Sequence, residues 1–218
     1  MRAAALLQLL TLAWLPLLHS QPPSSAPCVS LPPKPPPAPA AELVAACPEA
    51  QAADCTAVLQ AALDSHAYTV RVPALPDGRS WLVQPLCLRS NQTVLLEPGA
   101  VVMAKAGSFH GVRDALLNAV HTVNTTVIGY GATLRMRRID YMNRTNYAFG
   151  ATRGGINLWA AAEVRLLGLR VEDCGGDGLL VMREESTNPC AWHEPGYYPA
   201  CPPWSRDVEV RDCVFDRK

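Results

Sequence analysis

Asp173 and Asp177 have the side-chain type and the spacing for acid–base chemistry. They flank the sequence Cys-Gly-Gly, in which the glycines permit a tight corner. Two carboxylates beside one corner can hydrolyse a glycosidic bond, because one donates a proton to the leaving oxygen while the other activates water. Two further interpretations stay open: the carboxylates accept N–H groups of the turn, which we favour, or they hold a calcium ion.

An aromatic stretch near the C-terminus has the composition of a sugar-binding surface. Trp192, His193 and Tyr197 stand in the sequence Trp-His-Glu-Pro-Gly-Tyr-Tyr. Aromatic rings beside polar groups are what sugar rings pack against. Cys190 and Cys201 flank the stretch and could clamp it with a disulfide. A glycan-binding platform is therefore one hypothesis, and a loop held down by its own aromatic residues is the other.

A basic stretch supplies a third candidate site. It contains Arg135, Arg137 and Arg138, of which we select Arg138 as a bidentate contact for the carboxylate of an anionic sugar. The simpler interpretation is a solvated strand face. His110 has no identifiable partner and is interpreted as a solvated loop residue. No Cys-x-x-Cys pair and no Cys/His cluster has zinc-ligand spacing, so the sequence predicts no metal site and no cofactor.

The elements that would position these residues form a repeating pattern. Each unit begins with a polar or small turn, continues with alternating aliphatic residues and ends at a Gly, Asp or Pro-Gly corner. The units are SNQTVLLEPGA (90–100), VNTTVIGYGAT (123–133), AAEVRLLGLRVEDC (161–174) and SRDVEVRDCVF (205–215). Because one such unit cannot bury its apolar face alone, we expect the units to stack as turns of a β-solenoid.

Matching the units through Val94, Val127, Val164 and Val208 gives intervals of 33, 37 and 44 residues. A solenoid turn has only about 20–25 residues, so we assign the excess to inserted loops. The two loops predicted in this way are residues 135–154 and 182–205.

Cys174 and Cys213 occupy the same place in successive units, in Glu-Asp-Cys and Arg-Asp-Cys. Adjacent strands would bring their Cα atoms to about 4.8 Å, a distance that a disulfide tolerates. Two stacked, buried thiols remain the alternative.

The N-terminal part of the chain has the sequence pattern of a targeting segment followed by a spacer. Residues 1–20 contain Arg2, an apolar stretch and then small or polar residues, which is typical of a cleaved signal peptide that leaves no membrane anchor. Residues 21–45 hold nine of the 20 prolines, including the run Pro-Pro-Lys-Pro-Pro-Pro, and predict a disordered arm.

The segment DCTAVLQAALDS (54–65) has helical periodicity and predicts a short helix that covers one end of the core. Asp54 and Thr56 are its candidate N-caps. Its predicted apolar face consists of Val58, Leu59, Ala62 and Leu63.

Charge and glycosylation motifs restrict the partners. The chain has 19 basic and 19 acidic side chains with no long basic run, so nucleic acid is not an expected partner. Behind a signal peptide, eight cysteines indicate disulfides. Asn91, Asn124 and Asn143 each begin an Asn-x-Thr sequon and are expected to carry N-glycans on a secreted, extracellular protein.

The order of these motifs resembles a known superfamily. DCTAVLQAALDS, then VRVPALPDGRSWLVQPLCLRSNQTVLLEPGAVVMA and GGINLWAAAEVRLLGLRVEDCGGDGLLV, is similar to the pectin-lyase-like β-helix proteins, nearest to the polygalacturonase-like glycoside hydrolases. The resemblance implies an all-β fold, a right-handed parallel β-helix with a short N-terminal cap helix, over residues 46–218. It also implies hydrolysis of an extracellular polysaccharide, with Asp177 at the position of that family's first catalytic aspartate.

The chain departs from the family pattern in ways that leave its activity open. Gly175-Gly176 replaces the expected Asn-Thr before Asp177, and neither the later Asp-Asp pair nor a Gly-His-Gly motif is present. We therefore expect a domain that is incomplete at its C-terminus. Two functions follow: a polysaccharide-active enzyme or its remnant, in which Asp177 and Asp173 act as acid or base, or a non-catalytic extracellular scaffold that binds glycans or another protein.

Overall fold

Short parallel strands are the main secondary structure of the protein in a computed structural model that describes residues 42–49, 52–150, 152–183 and 204–216. Two helices are described, α1 (Thr56–Leu63) and α2 (Arg138–Tyr141), together with a 3-10 turn at Pro76–Gly78. The strands, in chain order, are β1 (Leu43–Val44), β2 (Thr69–Val72), β3 (Trp81–Val83), β4 (Leu86–Cys87), β5 (Gln92–Leu96), β6 (Val101–Ala104), β7 (Ala115–Val120), β8 (Val123–Ile128), β9 (Thr133–Arg135), β10 (Gly154–Trp159), β11 (Ala162–Leu167), β12 (Arg170–Glu172), β13 (Leu179–Met182), β14 (Arg206–Arg211) and β15 (Val214–Asp216).

These strands form three sheets in which all ladders are parallel. Sheet A has the order β1-β2-β5-β8-β11-β14, sheet B has the order β15-β12-β9-β6-β3, and sheet C has the order β13-β10-β7-β4. From β2 onward the chain visits A, B and C in turn, and each strand pairs with the third strand after it. The prediction of a mostly β fold with parallel strands is thus confirmed, and the cyclic order is consistent with a parallel β-helix.

Apolar side chains from all three sheets meet in one core, where equivalent positions of neighbouring strands stack. Val94 pairs with Val127, and Val164 pairs with Val208, as the repeat predicted. Val127, however, pairs with Leu166 and not with Val164, so the predicted match of these two units was wrong by two residues. An even shift keeps the apolar residues on the same face, which is why the alternating pattern could not detect the error.

Helix α1 covers the core beside the first strands. Leu59, Ala62 and Leu63 are buried as predicted, whereas Val58 is only partly buried. The N-cap residue is Cys55, not either predicted candidate, although the Asp54 carboxylate accepts the N–H of Thr56 at 3.0 Å. Burial opposes ionisation of Asp54, but hydrogen bonds from Lys105, Thr56 and Gln84 outweigh it and hold the pKa of this carboxyl far below its usual range.

A disulfide fixes the segment that precedes α1. Cys47 and Cys55 are bonded, with their Cα atoms 5.6 Å apart, and Cys87 is also disulfide-bonded. The predicted arm ends earlier than residue 45, because Leu43–Val44 already pairs with β2. Residues 43 and 44 are not prolines, so their N–H groups are available to the ladder. The predicted signal peptide and the rest of the arm lie outside the described residues.

Both predicted loops separate strands at the expected places. The first lies between β9 and β10 and contains α2, and the second lies between β13 and β14 with most of its residues outside the described part of the chain. Within the described residues, no helix is long and apolar enough to cross a membrane.

Candidate functional site

The connections from sheet B to sheet C all emerge at one edge of the structure, because the strands on either side of them are paired in register. They are residues 84–85, 105–114, 136–153 and 173–178. The third is the longest and carries α2. The fourth contains both aspartates that the sequence selected.

A groove of about 530 Å³ lies at this edge. Its wall combines two methionines and an isoleucine with three arginines and two aspartates. The lining residues are Met103, Arg135, Met136, Arg137, Arg138, Ile139, Asp140 and Asp173. The groove therefore brings together Asp173 and Arg138, which sequence reasoning selected for separate reasons.

Asp173 is placed in the groove by the corner that follows β12. Its backbone is left-handed, with φ at 56°, a conformation that aspartate tolerates better than most residues. Its carbonyl oxygen accepts the N–H of Arg138 at 2.8 Å. This bond joins the corner to the start of α2, so the positions of the two site residues are coupled through the backbone.

The three groove arginines are not equivalent. Arg135 donates to Glu172 at 2.7 Å and Arg137 donates to Asp140, so both cations already have a carboxylate partner. Arg138 is exposed, and no ion pair of its side chain occurs within the described residues. Its guanidinium is therefore the groove cation that is available to a bound anion.

Glu172 was not selected from the sequence, yet it binds Arg135, a residue that lines the groove. Its side chain accepts hydrogen bonds from Arg135 and Arg170. Burial alone would raise the pKa of Glu172, but these two guanidinium groups outweigh burial and lower it. The contact could have been predicted only with the strand register, which places Glu172 beside Arg135.

Asp177 lies in the same corner but does not line the groove. Its carbonyl oxygen accepts the N–H of Gly155 at 3.4 Å and lies where a side chain at Gly154 would otherwise stand. The groove thus contains one of the two predicted catalytic aspartates. A catalytic role of Asp177 stays a prediction.

Aromatic residues in the 136–153 connection support the groove wall. Tyr141 is buried and packs edge-on against Tyr147, with ring centroids 5.2 Å apart. Burial raises the pKa of Tyr141 well above its ordinary value. The ring also lies against Gly175, where a methyl group would come within 2.7 Å of Tyr141 Cδ2. Gly175 therefore has a packing role, which sequence reasoning missed.

His110 is an exposed loop residue between β6 and β7, as predicted, but the expectation that it has no partner was wrong. Its ring stacks on Tyr147 with centroids 4.8 Å apart, and its ring nitrogens lie 3.2 Å from Asn146 O and 3.0 Å from Gly107 O. The contacts with Asn146 and Tyr147 join two connections that are far apart in sequence, so no local pattern could indicate them.

The predicted disulfide between Cys174 and Cys213 is absent, since neither residue is disulfide-bonded. Strand β15 pairs with β12 such that Cys213 falls beside Leu169, because the N–H of Val214 donates to Leu169 O. The shared Asp-Cys sequence had suggested equivalence, but Cys174 lies five residues beyond Leu169. Cys174 is buried and Cys213 is partly exposed.

The three predicted glycosylation sites are exposed. Asn91 and Asn124 lie on neighbouring turns, both in the left-handed conformation, and Asn124 Nδ2 donates to Asn91 Oδ1 at 3.2 Å. Asn143 lies just after α2. Exposure permits glycosylation, which stays a prediction.

The remaining predicted residues belong to the aromatic stretch and the two cysteines that flank it. Trp192, His193, Tyr197, Cys190 and Cys201 lie outside the described residues. In the described part of the chain, no group of three or more His, Cys, Asp or Glu side chains could hold a metal ion.

Comparisons with known proteins leave the family open. No model of a protein family matches the chain, and no curated protein matches it. A solved structure from Parabacteroides merdae, described as a "putative glycosyl hydrolase", is 16% identical, covers 74% of this chain and 88% of its own, and has a TM-score of 0.35. A likeness this distant does not assign a function.

Proposed function

We propose that this protein is an exported, right-handed parallel β-helix of the pectin-lyase-like kind that binds an extracellular polysaccharide in the groove at the sheet B to sheet C edge. The observation that carries the proposal is that the groove holds Arg138 beside Asp173, and that no carboxylate of the described residues pairs with the Arg138 guanidinium. A cation of this kind takes a sugar carboxylate by two parallel hydrogen bonds.

The other lining residues fit a saccharide. Met103 and Ile139 offer apolar surface to the C–H faces of a sugar ring, and Asp173 offers an acceptor for its hydroxyl groups. The groove volume of about 530 Å³ is within the usual range of small-ligand sites. The bound unit is accordingly an acidic sugar within a longer chain.

Binding is a better-supported function for the described residues than hydrolysis. Glycoside hydrolysis needs two carboxyl groups, one of them protonated or free to activate water. The groove contains Asp140 and Asp173, but Asp140 is paired with Arg137, and Asp177 lies outside the lining. Hydrolysis with Asp173 as the acid or base is the second candidate, favoured by the place of Asp173 next to the proposed anion contact.

The test is titration calorimetry with uronic-acid oligosaccharides, together with an assay for released reducing ends. We expect Arg138→Gln to weaken binding about tenfold or more. Arg165→Gln on sheet A, an exposed arginine distant from the groove in sequence, is the matched control and should bind normally. Equal affinity of the wild-type protein and Arg138→Gln would contradict the proposed site.

The same samples distinguish binding from hydrolysis. Asp173→Asn keeps the shape of the side chain but cannot exchange a proton, so it should abolish any release of reducing ends while oligosaccharides still bind. Binding without release by the wild-type protein would leave the scaffold function and eliminate the hydrolase for this chain.

Export has a separate test. We expect secretion of the full chain from a eukaryotic host with N-glycans at Asn91, Asn124 and Asn143. Removal of N-glycans by an endoglycosidase should increase mobility on a gel, and the triple Asn→Gln variant should show no such change. A secreted wild-type protein with the mobility of the triple variant would contradict the assignment of these sites.

A further inference from the structure

Sheet C is buried on both of its faces. Every residue of β7 and β10 is buried, although alternate residues of a strand point away from the core. In β8 and β11 of sheet A, the residues that point outward are exposed or partly exposed instead. Cys87, Val120 and Trp159 form an apolar cluster separate from the main core, with Leu180 packed against it. We call these four residues the outer patch.

The outer patch and the groove lie at opposite edges of sheet C. Cys87, Val120 and Trp159 are the last residues of β4, β7 and β10, and Val120 pairs with Trp159. The groove lies among the connections that enter these strands from sheet B. Whatever covers the outer patch therefore leaves the groove accessible.

Trp159 indicates what the cover must supply. Its side chain is buried with 1% exposed, and its indole Nε1 has no hydrogen-bond acceptor in the described part of the chain. A buried indole N–H usually has a partner, because an unpaired buried donor costs free energy. The cover therefore has to bring both apolar surface and an acceptor.

Cys87 provides a covalent link from the outer patch to another segment, because it is disulfide-bonded. The other described cysteines are excluded as its partner, since two are bonded to each other and two carry no disulfide. The three that are left among the eight cysteines of the chain are Cys28, Cys190 and Cys201.

Two of these three cysteines belong to a segment at the far end of sheet C. The segment that contains Cys190 and Cys201 leaves and returns beside β13, where Arg183 bridges Trp204. Sheet C has the order β13-β10-β7-β4, so Cys87 on β4 lies about 14 Å from β13. Cys190 and Cys201 are also close enough in sequence to bond to each other, which leaves Cys28.

Cys28 precedes the described residues at the correct end of the molecule. Strands β1 and β4 are both terminal in their sheets at the end covered by α1, and Gln60 of α1 donates to Cys87 O at 3.0 Å. The described chain begins at Glu42, fourteen positions after Cys28. A Pro-rich segment of this length extends to about 40 Å, which is ample to reach Cys87.

The segment around Cys28 has the composition that the outer patch requires. Residues 21–41 contain nine prolines. A polyproline II backbone makes no internal hydrogen bonds, so its carbonyl oxygens are available as acceptors. Proline-rich segments of this kind dock on surfaces lined by aromatic residues. The segment thus offers apolar rings to Val120 and Trp159, and a carbonyl oxygen to Trp159 Nε1.

We propose that residues 21–41 pack across the outer patch and are fastened there by a disulfide between Cys28 and Cys87. The segment is then a fixed strap, in contrast to the disordered arm that its composition alone predicts. Forming the bond removes two protons and two electrons from the two thiols, and a disulfide oxidant of the export pathway takes them and becomes a dithiol.

A disulfide map of the unreduced wild-type protein tests the fastening. Trypsin with a glutamate-specific protease releases Cys28 in residues 21–42, apart from Cys47, and Cys87 in residues 80–89. We expect these two peptides to be linked. The variant with serine at both Cys190 and Cys201 is the control and should keep the same link. A link from Cys87 to either of those cysteines would overturn the proposal.

Oxidative footprinting of the full chain tests the packing. In the wild-type protein we expect Trp159 to resist oxidation as the core residue Trp81 does, whereas Trp204, which is 61% exposed, is oxidised. The comparison variant combines Cys28→Ser with serine at Pro32, Pro33, Pro35, Pro36 and Pro37.

The variant should expose the outer patch without unfolding the core. We expect oxidation of Trp159 to rise toward that of Trp204, while Trp81 stays protected and so reports an intact fold. Ready oxidation of Trp159 in the wild-type protein, or protection of Trp159 that survives all of these changes, would show that residues 21–41 do not cover the patch.

Discussion

Arg135 and Glu172 occupy the same position on neighbouring strands β9 and β12 and form a salt bridge, with Arg135 Nη2 2.5 Å from Glu172 Oε1. Only 4% of the Glu172 side chain is exposed. Arg170 contributes a second guanidinium at 3.4 Å. A carboxylate with so little exposure needs both cations. The ion pair in turn holds Arg135 in one position on the wall of the groove.

The first prediction concerns this carboxylate. Glu172→Gln removes the charge but keeps the shape, and we expect it to lower the free energy of unfolding by about 1–3 kcal/mol because two guanidinium groups lose their anion. Denaturation in urea measures the change. Glu163→Gln is the matched control, since Glu163 is exposed on β11, and it should have little effect.

The pH dependence of this difference follows from the direction of the pKa shift. The folded-state pKa of Glu172 lies below its unfolded value, so its contribution is complete above the unfolded pKa and is lost as the pH falls through the folded value. The wild-type protein should therefore exceed Glu172→Gln in stability near neutral pH and lose this advantage below about pH 4. An advantage that persists in strong acid would contradict the assignment.

The parallel strands could be predicted from the sequence, and the contacts that build the groove could not. Alternating aliphatic residues indicated β5, β8, β11 and β14. Of these strands, β5, β8 and β11 each bury one face. Their register was ambiguous by two residues. Val127 pairs with Leu166, but pairing with Val164 would satisfy the same alternation of aliphatic residues.

The site residues could be predicted from the sequence, but their proximity could not. Asp173 and Arg138 were selected by residue type, which is visible in the sequence. Their proximity depends on how residues 136–153 fold back onto the next corner, and that contact joins Tyr141 to Gly175. No periodic pattern encodes such a contact, since it lies between two irregular connections.

The second prediction tests this contact. Gly175→Ala places a methyl group 2.7 Å from Tyr141 Cδ2, so we expect a loss of about 1–3 kcal/mol in unfolding free energy and weaker ligand binding as α2 shifts. Combining it with Tyr141→Leu removes the clash. The two changes together should cost less than the sum of the single changes, and strict additivity would show that the ring and the corner are independent.

The third prediction concerns the two thiols. Cys213 is partly exposed and Cys174 is buried, so iodoacetamide should alkylate Cys213 in the native protein and Cys174 only after denaturation. Peptide mapping by mass spectrometry without reduction measures both. A linked peptide that contains both cysteines would restore the disulfide that the strand register contradicts.

The fourth prediction concerns the disulfide before α1. Cys47 and Cys55 are eight positions apart in the sequence, and closing a loop of this size stabilises a protein by about 2–3 kcal/mol in the chain-entropy model. Replacing both by serine should lower the unfolding free energy by about this amount. Replacing Cys213 by serine is the control for loss of a sulfur without loss of a bond, and a similar decrease there would argue against the loop-closure explanation.

Arg153 is the residue that joins the two irregular connections beside the groove. Its guanidinium is buried and donates to Gly111 O at 3.3 Å, His110 O at 3.2 Å and Ala148 O at 3.1 Å. The same group lies 5.2 Å from the ring centroid of Tyr141. Burial lowers the pKa of Arg153, so these carbonyl and ring contacts must offset the desolvation of a cation.

The fifth prediction follows from that geometry. A lysine ammonium has a single nitrogen and cannot reach three carbonyl groups that a planar guanidinium bridges, so Arg153→Lys should lower the unfolding free energy by about 2–4 kcal/mol. Hydrogen exchange should accelerate in residues 107–114 and 141–150, while sheet A stays protected. Arg144→Lys, an exposed position in the same connection, should change neither. If Arg153→Lys instead accelerates exchange equally throughout the molecule, the arginine acts on global stability and not on these two connections.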